Sequence, residues 1–207
     1  MPVSSRPNGL QQNCVPVGEL QTLGWSALED AIRTCSACGL CRQRRQAVPG
    51  MGDQQADWLF IGEGPGQEED AQGKPFVGPA GKLLDNMLLA IGLRRGDNVY
   101  IANAVKCRPP NNRTPEVAEI ETCKPYLERQ IALLQPKVIV LLGRAAARSV
   151  LGSDEPLGNM RGRLHRYRDI PVVVTYHPAY LLRALQDKAK AWEDLCLARQ
   201  TMRGLAG

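Results

Sequence analysis

Five cysteines are placed so that their thiolates could bind metal. Cys35, Cys38 and Cys41 stand at Cys-x2-Cys-x2-Cys spacing, and Cys107 and Cys123 follow with fifteen residues between them. Two cysteines three residues apart on a turn bring their sulfurs within ligand distance of one centre. Four such thiolates fit either a structural zinc ion or an iron–sulfur cluster. The alternative is that they are buried free thiols that pack as small hydrophobic side chains.

The other two cysteines, Cys14 and Cys196, stand alone and are expected to be free thiols. The total of seven is odd, and an intracellular chain seldom uses cysteines as a disulfide framework. The pattern therefore favours metal binding over disulfides.

A glycine-rich segment (Gly-Glu-Gly-Pro-Gly, residues 62–66) directly follows the apolar run 58–61. Glycines at such a turn let the backbone approach a ligand closely and present amide donors. The spacing does not fit a dinucleotide fingerprint, and no Gly-Lys-Ser/Thr follows as in a P-loop. The segment therefore predicts a pocket of another kind, or simply a chain reversal.

Three further residues could take part in binding a planar, polar ligand. The amide of Asn103 offers a donor and an acceptor together, as the edge of a base requires, although a lone asparagine more often caps a turn. His177 also follows a strand, where a lone histidine is more often structural. Phe76 lies in a Gly/Pro/Lys loop rather than on an apolar face. That position suits stacking on a planar ligand better than core packing.

An apolar tip follows His177 and ends in an arginine: Leu181, Leu182 and Arg183. This combination resembles a wedge that fills a gap in a stacked duplex. A basic cluster after the third cysteine would ordinarily be a solvated face and would contact phosphates only if the partner is nucleic acid. Its members are Arg42, Arg44 and Arg45.

The secondary structure that positions these residues alternates between strand and helix. Continuous apolar runs predict buried strands at 58–61, 99–102, 138–142 and 172–175. Helical patterns cover 79–92, 115–134, 144–151 and 188–202, with Thr114 as the N-cap of the second and Pro115 at its first position. Such alternation indicates an α/β fold whose parallel sheet is covered on both faces. All four strands then deliver polar or glycine-rich segments to one edge of the sheet.

Length and composition are those of one globular domain. The chain has 207 residues, 43% hydrophobic and 23% charged, with a net charge of +5 that permits a polyanionic partner without requiring one. No apolar run reaches membrane-spanning length, and the polar N-terminus lacks a signal-peptide core. We therefore expect a soluble cytoplasmic protein, monomeric and without membrane contact.

Three separated motifs closely resemble those of the family-four uracil-DNA glycosylases, the iron–sulfur branch of that superfamily. They are Gly-Glu-Gly-Pro-Gly-x-Glu-Glu-Asp with Gly-Lys-Pro-Phe-Val-Gly, then Ile-Ala-Asn-Ala-Val-Lys-Cys-Arg-Pro-Pro, and His-Pro-Ala-Tyr-Leu-Leu-Arg. The resemblance covers roughly residues 30–200. It implies a three-layer αβα sandwich around a four-stranded parallel sheet, with an irregular N-terminal extension at 1–24 and the glycosylase domain at 25–207. It also implies a [4Fe–4S] cluster held by Cys35, Cys38, Cys107 and Cys123. Cys41 departs from that pattern, so Cys38 and Cys41 remain an alternative first pair.

The activity implied by the resemblance is hydrolysis of the N-glycosidic bond of uracil in double- or single-stranded DNA, leaving an abasic site for base excision repair. The target base would be flipped into a pocket. By resemblance His177 donates to O2 of the departing base, with help from backbone amides around Glu63 and Gly64. Phe76 would stack on the ring, and Asn103 would read its O4/N3 edge.

The remaining roles implied by the resemblance concern selectivity, water and DNA. Glu69 would crowd the place of the thymine methyl group, and Gly62 would belong to the base pocket. Leu181, Leu182 and Arg183 would brace the vacated stack. In the best-known branch an aspartate stands where this chain has Gly64, so Glu63 is the nearest candidate for activating water.

Three alternatives stay open. A sister iron–sulfur branch accepts a wider range of bases, but its first motif lacks the glutamate matched by Glu63. A non-catalytic DNA-binding module would not need the intact Asn103 and His177. An iron–sulfur electron carrier would not need the pocket motifs at all.

Overall fold

The centre of the protein is a six-stranded mixed sheet, seen in a computed structural model that describes residues 15–205. The strands are β1 (Met51–Gly52), β2 (Trp58–Gly62), β3 (Val99–Asn103), β4 (Val138–Leu142), β5 (Leu164–Tyr167) and β6 (Ile170–Thr175). Their order across the sheet is β1-β3-β2-β4-β6-β5. The central four are parallel, and β1 and β5 pair antiparallel at the two edges. The predicted four-stranded parallel sheet is thus confirmed, with an added strand on each side.

The two edge strands were missed because neither is a continuous apolar run. β1 has only two residues, and β5 reads Leu-His-Arg-Tyr with alternately exposed positions. The central strands are buried at nearly every position, since helices cover both of their faces. A continuous apolar run therefore identifies a central strand of the sheet but not an edge strand.

Nine helices flank the sheet in the described part of the chain. They are α1 (Val17–Leu20), α2 (Trp25–Thr34), α3 (Gln67–Gln72), α4 (Pro79–Ala90), α5 (Val117–Leu134), α6 (Arg144–Leu151), α7 (Leu157–Met160), α8 (Pro178–Leu181) and α9 (Lys188–Leu205). Short 3-10 turns cover Gly39–Arg42, Pro110–Asn112 and Leu185–Asp187. None of the described helices has both the length and the apolarity of a membrane span.

The helices form two layers, one on each face of the sheet. Successive side chains of a strand point to opposite faces, so Phe60 packs in one apolar cluster and Ile61 in the other. The first cluster includes Leu84 and Leu88 of α4 with Leu195 of α9. The second includes Leu127 and Ile131 of α5 with Val150 of α6. This is the predicted three-layer αβα arrangement.

The start of α5 differs from the prediction by two residues. The helix begins at Val117, and Glu116 rather than Thr114 occupies the N-cap. The carboxylate of Glu119 accepts a hydrogen bond from the Glu116 amide at 2.7 Å and also pairs with Arg113. A Glu119 side chain that reaches back to the cap fixes this start, and Thr114 and Pro115 belong to the preceding loop.

The predicted N-terminal extension falls partly outside the described residues, as does Cys14. Within residues 15–24, Val17–Leu20 form one helical turn, and Leu20 is buried against Leu28 and Ile32 of α2 and Tyr126 of α5. This part of the extension is therefore not irregular, because an apolar side chain anchors it to the domain.

Candidate active site and cysteine centre

A cleft of about 520 Å³ lies at the carboxyl edge of the parallel strands. Gly62 at the end of β2 is in register with Asn103 at the end of β3, and β6 leads directly to His177. Seven of the predicted site residues line this cleft: Glu63, Gly64, Glu69, Phe76, Asn103, His177 and Arg183. The strand ends therefore bring together motifs that are more than a hundred residues apart in sequence.

His177 is the N-cap of α8 and presents a neutral ring. Its Nδ1 accepts a hydrogen bond from the Ala179 amide at 3.1 Å, so in the neutral ring the proton is on Nε2. Burial lowers the pKa of His177 from 6.5 to about 4, with the Glu69 carboxylate acting weakly in the opposite direction. At neutral pH the ring is thus an uncharged donor through Nε2–H.

Phe76 has a left-handed backbone (φ +53°) and stacks on His177, with ring centroids 5.5 Å apart and planes at 29°. Its side chain lines the cleft and also belongs to the core, with 6% exposure. The prediction that Phe76 stacks on a ligand instead of packing in the core is therefore only partly right. Its ring both packs in the core and lines the cleft. Such a strained backbone persists only where neighbours hold it.

Two charged residues hold the Phe76 loop. Arg95 donates to the carbonyls of Pro75 and Phe76, both at 2.7 Å. The carboxylate of Glu69 accepts from the amides of Val77 at 2.8 Å and Gly78 at 3.0 Å, and also from Gly66 at 3.1 Å. Glu69 thus fastens the two motif loops together. Arg95 was not found from the sequence, because nothing near it marks a site.

Asn103 is buried at the back of the cleft, and its Oδ1 has no hydrogen-bond partner within the described part of the chain. A buried amide oxygen normally has one, so an unpaired one facing a cleft suggests that a ligand supplies it. The absence of a side chain at Gly62 leaves room for the Asn103 side chain. A Cβ at position 62 would lie 2.5 Å from both Asn103 Oδ1 and Phe76 Cζ. Gly62 therefore makes room for the pocket and does not itself line it.

Glu63 is the carboxylate within the glycine-rich segment 62–66. It accepts a hydrogen bond from the Ala145 amide at the start of α6, and burial raises its pKa above the ordinary range. At Gly64 a Cβ would lie 2.7 Å from Cγ2 of the buried Val105. An aspartate at position 64 would therefore need Val105 to move.

One wall of the cleft was not found from the sequence. It is the loop between β3 and α5, contributing Pro109, Asn112, Arg113, Thr114 and Pro115. Asn111 and Asn112 both have φ near +55°, a conformation that asparagine tolerates better than most residues. The run Pro-Pro-Asn-Asn was the available signal for a specifically shaped loop.

The predicted leucine wedge needs a correction. Leu181 is 1% exposed and packs in the core, because α8 turns this side chain inward. Leu182 is 43% exposed, and Arg183 lines the cleft. Leu181 is therefore a core residue, and only Leu182 is free to contact DNA.

A small cavity on the other side of the β3–α5 loop brings five cysteines together. They are Cys35, Cys38, Cys41, Cys107 and Cys123. Within residues 15–205, no three His, Cys, Asp or Glu side chains converge closely enough to bind one metal ion. Five thiols around one small cavity include enough ligands for the four thiolates of a four-iron cluster.

Donors point at these sulfurs. Arg44 donates to Sγ of Cys107 at 2.8 Å, and the Lys106 amide donates to Sγ of Cys123 at 3.3 Å. Burial raises the pKa of Cys107 to about 11 and that of Cys123 to about 12. Such thiols become thiolates only when a metal replaces the proton.

The basic cluster after the third cysteine is divided between two roles. Arg44 also donates to the carbonyls of Arg33 and Cys35, so its guanidinium is used inside the protein and is not available for phosphate. Arg42 and Arg45 are exposed. These two arginines therefore remain candidates for DNA contact.

Comparison with known proteins agrees with this fold. The family model described as the uracil DNA glycosylase superfamily matches residues 49–196. The type-4 uracil-DNA glycosylase of Pyrobaculum aerophilum is 42% identical over 178 residues, covering 82% of this chain and 90% of the relative. That of Thermotoga maritima is 44% identical over 158 residues, covering 75% and 82%. The type-5 enzyme of Thermus thermophilus is 34% identical and covers 59% of this chain and 71% of its own. The chain belongs to the uracil DNA glycosylase superfamily and, within it, to the type-4 group.

Proposed function

We propose that this protein flips uracil out of DNA and hydrolyses its N-glycosidic bond, leaving an abasic site. The observation that carries the proposal is the unpaired, buried Oδ1 of Asn103, which lies in a cleft shared with a neutral histidine donor and an aromatic ring. The Asn103 amide is complementary to one edge of uracil. The names of the type-4 relatives, uracil-DNA glycosylases, agree with this reading.

In the proposed complex the base enters the cleft edge first. Oδ1 of Asn103 accepts from N3–H of uracil, and its Nδ2 donates to O4. Cytosine has no hydrogen on N3 and carries an amino group in place of O4. It would leave the amide oxygen unpaired, which costs about 1–3 kcal/mol. Phe76 would stack on one face of the uracil ring.

The chemical step separates a cation-like sugar from a uracil anion. His177 would donate through Nε2–H to O2, where the negative charge develops. Because the ring is neutral, it donates a hydrogen bond without transferring its proton. A hydrogen-bond donor in such a buried site stabilises the developing negative charge more than it would in water, because little solvent competes for that charge.

Glu63 is the group that we assign to the attacking water. Its carboxylate lines the cleft, and burial makes it more basic than an exposed glutamate. At Gly64, where the best-known branch carries an aspartate, Val105 occupies the space that a side chain would need. Glu69 would exclude the thymine methyl group through the loop that it fastens, because its carboxylate is already occupied by backbone amides.

Cys35, Cys38, Cys107 and Cys123 would hold a [4Fe–4S] cluster, which would tie the segment before β1 to the loop after β3 as a structural crosslink. Their placement around one cavity and the hydrogen-bond donors to the sulfurs of Cys107 and Cys123 support this set. The chemistry described above is assigned to protein groups of the cleft, and the cluster is given a structural role.

Flipping a base costs a few kcal/mol of unstacking, and least when the base is already single-stranded. Leu182 would fill the space that uracil leaves, with Arg183, Arg42 and Arg45 holding phosphates. We expect Leu182→Ala to lose activity on a U·A duplex about tenfold more than on single-stranded DNA, in single-turnover assays. Leu185→Ala is the matched control, since Leu185 is also an exposed leucine, at 62%, and lies three residues farther from His177 in sequence. Equal losses on both substrates would contradict the wedge.

The proposed activity is tested by excision assays on DNA containing uracil, cytosine, thymine or hypoxanthine. We expect uracil alone to be released efficiently by the wild-type protein. Asn103→Asp removes the amide donor to O4, and we expect it to lower the preference for uracil over cytosine by about tenfold or more. Efficient release of hypoxanthine would instead indicate the broader activity of the sister branch. No release of any base would contradict the proposal.

A further inference from the structure

Lys106 lies buried between the cleft and the cysteine centre. It separates Asn103 from Cys107 in sequence and is 2% exposed. Its Nζ donates to the carbonyl of Asn103 at 2.8 Å and to Oε1 of Gln130 at 2.6 Å. Its backbone amide donates to Sγ of Cys123. One residue therefore contacts the proposed base-reading residue and a proposed cluster ligand.

In the described part of the chain, the buried ammonium of Lys106 has no carboxylate within ion-pair distance. Both acceptors of its Nζ are neutral oxygens, and none of the ion pairs found within residues 15–205 includes Lys106. A buried unpaired charge is costly, and evolution rarely leaves one without a compensating partner. Two thiolates could compensate the charge of Lys106. Cys107 is the next residue in the chain, and the sulfur of Cys123 accepts from the Lys106 amide.

The surroundings hold this side chain in one orientation. Gln130 of α5 donates through Nε2 to the carbonyl of Pro49 at 2.8 Å, which leaves its Oε1 for Lys106. The Lys106 carbonyl accepts from the Val48 amide at 2.8 Å. The ammonium is thus fixed on both its backbone and side-chain sides.

We propose that Lys106 is a positioning residue that couples the cysteine centre to the base pocket. Its ammonium is a counter-charge of the cysteine-bound cluster, in addition to the Arg44 guanidinium, and at the same time holds the carbonyl of Asn103. The inference rests on the proposed function. Four thiolates with four sulfides carry more negative charge than the irons carry positive, so a fixed positive charge stabilises the bound cluster. Loss of the cluster would then loosen Asn103.

The test uses the cluster-containing protein and compares Lys106→Met with Lys137→Met. Lys137 is an exposed lysine that pairs with Asp57 at the amino end of the strands. We expect Lys106→Met to lose its visible absorbance to an iron chelator about tenfold faster or more. In fractions that keep the cluster, we expect uracil excision to fall by about tenfold. Lys137→Met should behave as wild type in both measurements.

The reduction potential of the cluster separates electrostatics from packing. Removing a nearby positive charge disfavours the reduced, more negative state, so Lys106→Met should shift the potential to a more negative value. Gln130→Glu should shift it in the same direction, because the new carboxylate neutralises Lys106. Gln130→Met removes the hydrogen bond without changing charge and should leave the potential near that of wild type. The Gln130 pair keeps the test decisive where Lys106→Met does not fold.

The outcomes distinguish this inference from the proposed function. A wild-type protein that releases no uracil would overturn the proposed function, while the potentials would still test the charge of Lys106. A wild-type protein that releases uracil, with unchanged potential and chelation rate in Lys106→Met and Gln130→Glu, would overturn the coupling. A shift of equal size in Gln130→Met would show that packing, and not charge, is responsible.

Discussion

His177→Ala is expected to slow uracil excision about a hundredfold or more in single-turnover assays. The variant removes a preorganised donor to the atom on which negative charge develops, and loss of one such donor typically costs this much. The effect should appear in the chemical step, with binding of uracil-containing DNA little changed.

Alanine also removes a helix cap, so a second variant is needed. Nδ1 of His177 accepts from the Ala179 amide. In His177→Asn the side-chain oxygen can still cap α8, but no donor equivalent to Nε2–H remains. We expect His177→Asn to be as slow as His177→Ala and more stable. His165→Gln is the control, since His165 lies on β5 and bonds the Met160 carbonyl outside the cleft. A His177→Asn rate near that of wild type would rule out the donor role.

The same histidine should also make stability depend on pH. Its pKa is about 4 in the folded protein and 6.5 ordinarily, so between these pH values the unfolded chain binds a proton that the folded protein does not. The free energy of unfolding is therefore expected to fall as pH drops through this window. Urea midpoints at pH 7 and pH 5 measure this fall, which should be smaller in His177→Asn.

Replacement of the proposed cluster ligands is expected to have the other large effect. The purified protein should be yellow-brown, with about four irons and four sulfides per chain. Single Ser variants of Cys35, Cys38, Cys107 and Cys123 should each lose the colour and unfold at lower temperature. The cause is that the cluster would join α2 and the turn after it to the β3–α5 loop and α5, adding to the apolar contacts that these segments already share.

Two cysteines serve as controls for this series. Cys196→Ser, on α9, should keep full iron content. Cys41→Ser tests the alternative ligand pair, because Cys41 also lines the cavity. Bleaching by Cys41→Ser with retention of colour by Cys35→Ser would move the first ligand pair to Cys38 and Cys41. Stoichiometric zinc without visible absorbance would contradict the cluster itself.

The central strands, the longer helices between them and the meeting of their carboxyl ends could be predicted from sequence. A strand buried on both faces must be continuously apolar, and parallel strands must end at one edge. That rule placed Asn103, His177 and the glycine-rich turn in one cleft. The three motifs then identified the family, because their order and spacing are specific.

Other parts of the site depend on tertiary contacts. Nothing around Arg95 or Lys106 in sequence indicates that they hold Phe76 and Asn103, since each acts through backbone carbonyls. Leu181 and Leu182 are adjacent apolar residues, and only the turn of α8 decides that the first is buried. The sequence around Arg44 predicts a surface arginine, whereas its guanidinium donates to a backbone carbonyl and a sulfur inside the protein. The sequence by itself determined which residue types meet at the sheet edge, because burial sets the pattern of strands. Which of them face the ligand and which support it was decided by contacts between distant segments, and local residue patterns do not record these.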